Sequence, residues 1–171
     1  LDVPREWPSG FYAAHIRNEA GEDYIPFFVR PAKGTAKAEV AFLVPTFSYQ
    51  VYSSYWRPER SVEILARARV WDALLETPGY NTQFGLSTYN YHADGSGVSI
   101  TSMLRPQLDT RPRQMSLHDP APKGSGTGRI NCDSYVVDWL DRAGIAHDVL
   151  TDHDLHEEGV AALEPYRVVI C

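Results

Sequence analysis

Three stretches of the sequence concentrate side chains able to do chemistry. Pro45-Thr-Phe47-Ser-Tyr49-Gln-Val-Tyr52-Ser-Ser-Tyr55-Trp56 and Ser87-Thr-Tyr89-Asn-Tyr91-His92-Ala-Asp94-Gly-Ser-Gly97 set phenols and aromatic rings among polar turn residues. Thr151-Asp152-His153-Asp154-Leu-His156-Glu157 places two imidazoles three residues apart beside two carboxylates. Imidazole with carboxylate is a donor set for zinc or non-haem iron, so Asp152, His153 and His156 form one candidate metal group. A plainer reading competes with it, because Thr151 or Asp152 can cap a helix starting there and acids favour its positive end. Tyrosine clusters ordinarily pack, each hydroxyl finding one hydrogen-bond partner. Asp94-Gly-Ser-Gly97 reads as a turn, since it lacks the lysine and the strand–loop–helix setting of a phosphate cradle.

The elements around these stretches indicate how they are positioned. Phe11–Arg17 and Tyr24–Arg30 are short apolar-aromatic runs around a polar turn segment, a hairpin whose Pro26 argues for an edge position. Glu39–Val44 is a continuous apolar run of the kind a parallel sheet buries on both faces. Val62, Leu65, Arg69 and Ala73 predict a helix over 61–75. Residues 105–130 form a long loop, with four Pro, three Gly and five bases against two acids between Arg105 and Arg129. Asn131 then caps a helix whose Tyr135, Val136, Trp139, Leu140 and Ala143 share one apolar face and which Gly144 stops. A strand over 147–150, a helix over 155–163 and a buried strand over 167–171 complete the order. That alternation is the grammar of an open, mostly parallel α/β sheet. Residues 1–38 are its β-rich lead-in and residues 39–171 the α/β domain. Ligands of such sheets bind beyond the carboxyl ends of the strands, where the Pro45–Trp56 and Thr151–Glu157 stretches fall and where the last strand ends at Cys171.

Composition narrows the function. The 171 residues are 43% apolar, enough for one ordinary core, and carry a net charge of −6 without a basic footprint for nucleic acid. No apolar run approaches the roughly 18 residues of a membrane span. Two cysteines give neither a disulfide framework nor metal spacing. No secretion signal opens the chain, so a cytoplasmic location is expected. The first residue is Leu rather than Met and the last strand ends at Cys171 without a tail, so a piece of a longer polypeptide is expected.

A resemblance adds to this reading. Trp7-Pro-Ser-Gly-Phe-Tyr12, Phe27-Phe-Val-Arg-Pro31, Val44-Pro-Thr-Phe-Ser-Tyr-Gln-Val-Tyr52, Leu86-Ser-Thr-Tyr-Asn-Tyr-His-Ala-Asp-Gly-Ser-Gly97, Leu104-Arg-Pro106 with Arg111-Pro112, and Asp152-His-Asp-Leu-His156 with Tyr166-Arg-Val-Val169 run in order through nearly the whole chain. Together they resemble the large (beta) subunit of the N,N-dimethylformamidase family. The resemblance implies a class I glutamine amidotransferase-like α/β domain. It also implies hydrolysis of N,N-dimethylformamide to dimethylamine and formate at a mononuclear ferric iron held by two Tyr and one Glu. By motif, Tyr49 and Tyr89 match the tyrosine ligands, with Tyr52 and Tyr91 close enough to exchange roles. The Glu belongs to a His-Pro-Glu-Tyr phrase expected beyond Cys171, so the 171 residues by themselves are expected to be inactive. Phe47, Tyr52, Tyr55, Trp56, Tyr91 and His92 are candidates for an aromatic pocket suited to a small amide without N–H groups. A small partner subunit and a homo-oligomer are also implied. From another class, exposed aromatics stacking on a sugar or other ligand would make a non-catalytic binding module.

Overall fold

The computed structural model describes residues 2–53, 55, 66, 84–107, 110 and 129–171. These fall into two compact units, one of residues 1–47 with 133–171 and one of residues 48–132. The helix predicted over 61–75 and most of the 105–130 loop lie outside the described residues.

In the first unit the chain opens with an antiparallel hairpin, β1 (Gly10–Asn18) and β2 (Gly21–Val29), paired from Gly10↔Val29 to Asn18↔Gly21. Its turn is tighter than the sequence suggests. Asn18 Oδ1 accepts the N–H groups of both Ala20 and Gly21, which closes the connection in two residues. Phe11 and Phe28 meet edge to face at 4.8 Å, and Phe11 leans on Phe42. Trp7, Tyr12 and Phe27 stack in a row at 4.9 and 5.8 Å.

A separate parallel sheet has the order β4-β3-β5. The central strand β3 (Val40–Val44) pairs with β4 (His147–Thr151) on one side and β5 (Val168–Ile170) on the other. Its Ala41 and Val44 are fully buried and Phe42 nearly so. Burying side chains of the Val and Phe type contributes about 1.5–3 kcal/mol each, so this run forms the core of the unit. On one face Ala41, Leu43 and Leu150 pack against Leu155, Leu163 and Tyr166. Ser9 ties the hairpin to the edge of β4: its hydroxyl donates to Val29 O at 2.9 Å and accepts Val149 N–H at 2.7 Å.

The final strand departs from expectation. Val168 is 50% and Val169 37% exposed: among the described residues β5 pairs with β3 alone, and an apolar run cannot reveal which position in a sheet it takes. The helices shift as well. α1 (Thr46–Tyr52) follows β3 after Pro45 alone, in a stretch without helical periodicity. α2 (Ile130–Arg142) begins before Asn131, which therefore lies inside the first turn instead of capping it. Of its expected apolar face only Leu140 is buried, while Tyr135 and Trp139 are about half exposed. It ends as predicted at Gly144, whose φ of 67° favours glycine and whose N–H reaches Asp141 O while Ile145 N–H reaches Leu140 O. α3 (Asp152–Glu158) starts three residues earlier than expected, and Gly159 at φ 68° breaks it into a 3-10 turn, Gly159–Ala162.

Candidate functional site

The loop after β4 belongs to the first unit and resolves as a cap. Thr151 is the N-cap of α3: its hydroxyl accepts Asp154 N–H, and the Asp154 carboxylate accepts Thr151 N–H in return. Asp152 Oδ2 accepts Phe47 N–H at 3.2 Å, satisfying an orphan donor in the first turn of α1. His153 Nδ1 lies 2.7 Å from Thr46 Oγ1, and the rings of His153 and His156 rest against Phe47 at 4.4 and 5.9 Å. Asp152, His153 and His156 are not brought together as ligands: among the described residues no three His, Cys, Asp or Glu side chains form a metal-binding group.

Asp154 is also an electrostatic partner. Arg30, at the end of the hairpin, bonds it at 2.8 Å and grips both oxygens of Glu158 at 3.1 and 3.2 Å. Burial alone would push the Asp154 carboxyl up, but bonds from Thr151 and Arg30 outweigh that and hold it below the usual carboxylate range. Burial likewise works against the charge on Arg30, and the two carboxylates reverse it, so its pKa is raised. Beside this pair a cleft of about 250 Å³ is lined by Arg30, Lys33, Leu150, Ala162, Pro165 and Tyr166 among others. Burial, and then Asp148, whose carboxylate accepts its hydroxyl proton at 3.2 Å, push Tyr166 up to about 12. Asp148, 6% exposed, also accepts the N–H groups of Lys37 and Ala38.

The phenols gather in the second unit. Tyr52 and Tyr89 stack at 4.6 Å with their planes 15° apart, and Tyr55 meets both edge-on at 6.4 and 5.6 Å. A hydrogen bond between the Tyr52 and Tyr89 hydroxyls holds the Tyr89 proton and raises its pKa, with the charge of Tyr52 acting in the same direction. Tyr49, one turn back along α1, is 2% exposed. Tyr91 and His92 stand apart from this cluster on a small hairpin, where Tyr91 bridges Gly97 and is 73% exposed. Asp94 accepts both the N–H and the hydroxyl of Ser96, bonds that hold its carboxyl below the ordinary range, so 94–97 is the turn its sequence suggests. Trp56 lies outside the described residues.

Backbone bonds fix the cluster. Val51 O accepts Ser87 Oγ–H at 2.7 Å, and the same oxygen of Ser87 accepts Tyr89 N–H at 3.1 Å. Arg105 donates to Ser53 O at 2.7 Å and to Gln50 O, while Arg129 donates to Tyr52 O at 3.2 Å and covers its ring. The sequence reading places Arg105 and Arg129 at the ends of a long loop and assigns neither a role. The phrase Leu104-Arg-Pro106 was the one available signal.

The fold class is thus an α/β protein with a hairpin and a parallel three-stranded sheet, and among the described residues Tyr52, Tyr55 and Tyr89 form a phenolic cluster. The chain belongs to the N,N-dimethylformamidase beta subunit-like, C-terminal family, whose model matches residues 1–171. It is 37% identical over 182 residues to the N,N-dimethylformamidase beta subunit of Paracoccus aminophilus, an alignment covering 99% of this chain and 22% of that protein. The protein of the same name from Alcaligenes sp is 37% identical over 180 residues, with 98% and 22% covered. The chain therefore spans 22% of the length of the curated relatives it matches. Among the described residues no helix is long and apolar enough to cross a membrane.

Proposed function

We propose that this chain is the tyrosine-bearing part of an amide hydrolase that converts N,N-dimethylformamide to dimethylamine and formate with a mononuclear ferric iron. The observation that carries the reading is the match of all 171 residues to a family whose named relatives are dimethylformamidase beta subunits. The donor chemistry fits. Ferric iron is a hard cation that favours oxygen, and a phenol loses its proton readily beside so large a charge. Two phenols, Tyr52 and Tyr89, already stack with ring centroids 4.6 Å apart. By motif the ligands are Tyr49 and Tyr89, and a third, a glutamate, belongs to a His-Pro-Glu-Tyr phrase that these residues do not contain. Bound there, the ion would supply Lewis-acid polarisation of the amide carbonyl and of water.

The chain's own residues do the rest of the work assigned here. Tyr52, Tyr55 and Tyr89 present ring faces and edges to a substrate that has no N–H to donate, so apolar contact suits it. The sheet is assigned to the class I glutamine amidotransferase-like fold on the same resemblance. A smaller partner subunit and a homo-oligomer complete the enzyme, in line with the relatives' designation as beta subunits. A cytoplasmic location belongs to the same reading, in line with two cysteines that give no disulfide framework.

Iron content and visible absorption of the full-length enzyme test the reading. Tyr49→Phe and Tyr89→Phe should each lose the iron-phenolate colour, the metal and amidase activity together, while Tyr52→Phe keeps the metal. A colourless wild-type enzyme free of iron by elemental analysis would overturn it.

A further inference from the structure

We infer that Arg105 is a positioning residue that sets the spacing of Tyr52 and Tyr89. Each of the four carbonyls at the end of α1 accepts a side-chain donor, Tyr52 O in addition to the Tyr55 N–H. Gln50 and Ser53 take Arg105, Val51 takes Ser87, and Tyr52 takes Arg129. Arg105 is 5% exposed, and its Nε also donates to Ser102 O at 3.3 Å. A buried guanidinium is costly to desolvate, and the partial negative charge of a helix C-terminus offsets part of that cost.

The second segment is built around the same side chain. Gly85 has φ +117°, and a Cβ there would meet Arg105 Cδ at 2.7 Å and Cγ at 3.2 Å. Glycine at 85 therefore leaves room for the arginine stem to reach the helix end. Two residues on, Ser87 is fully buried and joins Val51 O to Tyr89 N–H through one hydroxyl. The distance between the Tyr52 and Tyr89 rings thus follows from backbone anchored on Arg105 and Ser87. Lysine cannot replace Arg105, because one ammonium has no planar fork to bridge two carbonyls three residues apart.

The inference takes the phenol cluster as the working site, which is the reading proposed above, but its test needs no metal. Ruthenium-sensitised oxidation of the full-length enzyme with persulfate couples adjacent phenols, and peptide mapping by mass spectrometry identifies the pairs. Wild type should yield the Tyr52–Tyr89 cross-link, and Arg105→Lys should lower its yield by at least about fivefold, since coupling requires ring contact. Gly85→Ala keeps the arginine and displaces its stem, so it should lower the yield in the same direction and serves if Arg105→Lys fails to fold. In Arg105→Ala, millimolar guanidinium should restore part of the cross-link, an outcome a merely destabilised protein would not give. An unchanged yield in both folded Arg105→Lys and Gly85→Ala overturns the inference. Wild-type enzyme that carries no iron as purified would defeat the iron reading, and the cross-link it still gives would leave this one standing.

Discussion

Asp148 is a carboxylate inside the sheet, and its role follows from its three donors. It accepts Lys37 N–H, Ala38 N–H and the Tyr166 hydroxyl, tying the entry to β3 and the entry to β5 to the second residue of β4. Asp148→Ala strands two amides and a phenol, and should cost about 2–3 kcal/mol in chemical denaturation. Tyr166→Phe removes one bond and should cost about 1 kcal/mol at neutral pH. The pH dependence separates the two. A tyrosine held at about 12 in the fold and near 10 when unfolded stabilises fully below pH 10 and loses that contribution as pH rises through about 12. Denaturation midpoints should therefore fall between pH 10 and 12 in wild type and fall less in Tyr166→Phe. An equal fall in both would remove Tyr166 from the account. None of this was legible in His147-Asp-Val-Leu, where an aspartate in a strand carries no sign of its partners. The tyrosine stretches did announce themselves by type, yet spacing alone left open which phenols meet. The pairing depends on Arg105 and Ser87, whose roles are backbone bonds over long sequence separations.

Elements proved more readable, to the degree that their signals are local. The hairpin and the parallel strands β3 and β4 follow from apolar pattern, and the stop of α2 follows from Gly144. The sequence pattern starts α3 too late because its apolar periodicity begins with Leu155, whereas the helix begins with its cap. Thr151 and Asp154 satisfy two backbone donors reciprocally, which makes Asp152 the first helical residue. Thr151→Ala should cost about 1 kcal/mol and Asp154→Asn more, because the latter also weakens the contact with Arg30. Since the Asp154 carboxyl titrates lower in the fold than in the unfolded chain, its contribution is complete above the ordinary carboxylate range and fades as pH falls through its folded value. Wild-type stability should thus decline on acidification from pH 5, with a shallower slope in Asp154→Asn. Parallel slopes would show that the Arg30 contact contributes nothing measurable, as many part-exposed ion pairs do.

At the scale of the whole molecule the iron-bearing reading proposed above raises the question whether metal binding must fold the phenol cluster or finds it formed. Small metal domains with no core of their own unfold when the ion is removed, since binding and folding share one free energy. Here the cluster is closed by protein bonds: Arg105 to Gln50 and Ser53, Ser87 to Val51 and Tyr89, Arg129 to Tyr52. The sheet core includes the fully buried Ala41, Val44 and Val149. Chelation of the full-length enzyme should therefore bleach its visible band while leaving the far-ultraviolet circular dichroism unchanged, and ferric iron should restore the colour without a refolding step. Excess iron should still raise the melting temperature, because a ligand of the folded state stabilises it by mass action alone. Loss of helical signal on chelation, or recovery only after denaturation and renaturation, would mean that the arginine and serine bonds do not hold the phenols in place. The Arg105→Lys enzyme then gives the decisive comparison, because a preformed cluster predicts slower and weaker iron uptake once its anchor is shortened.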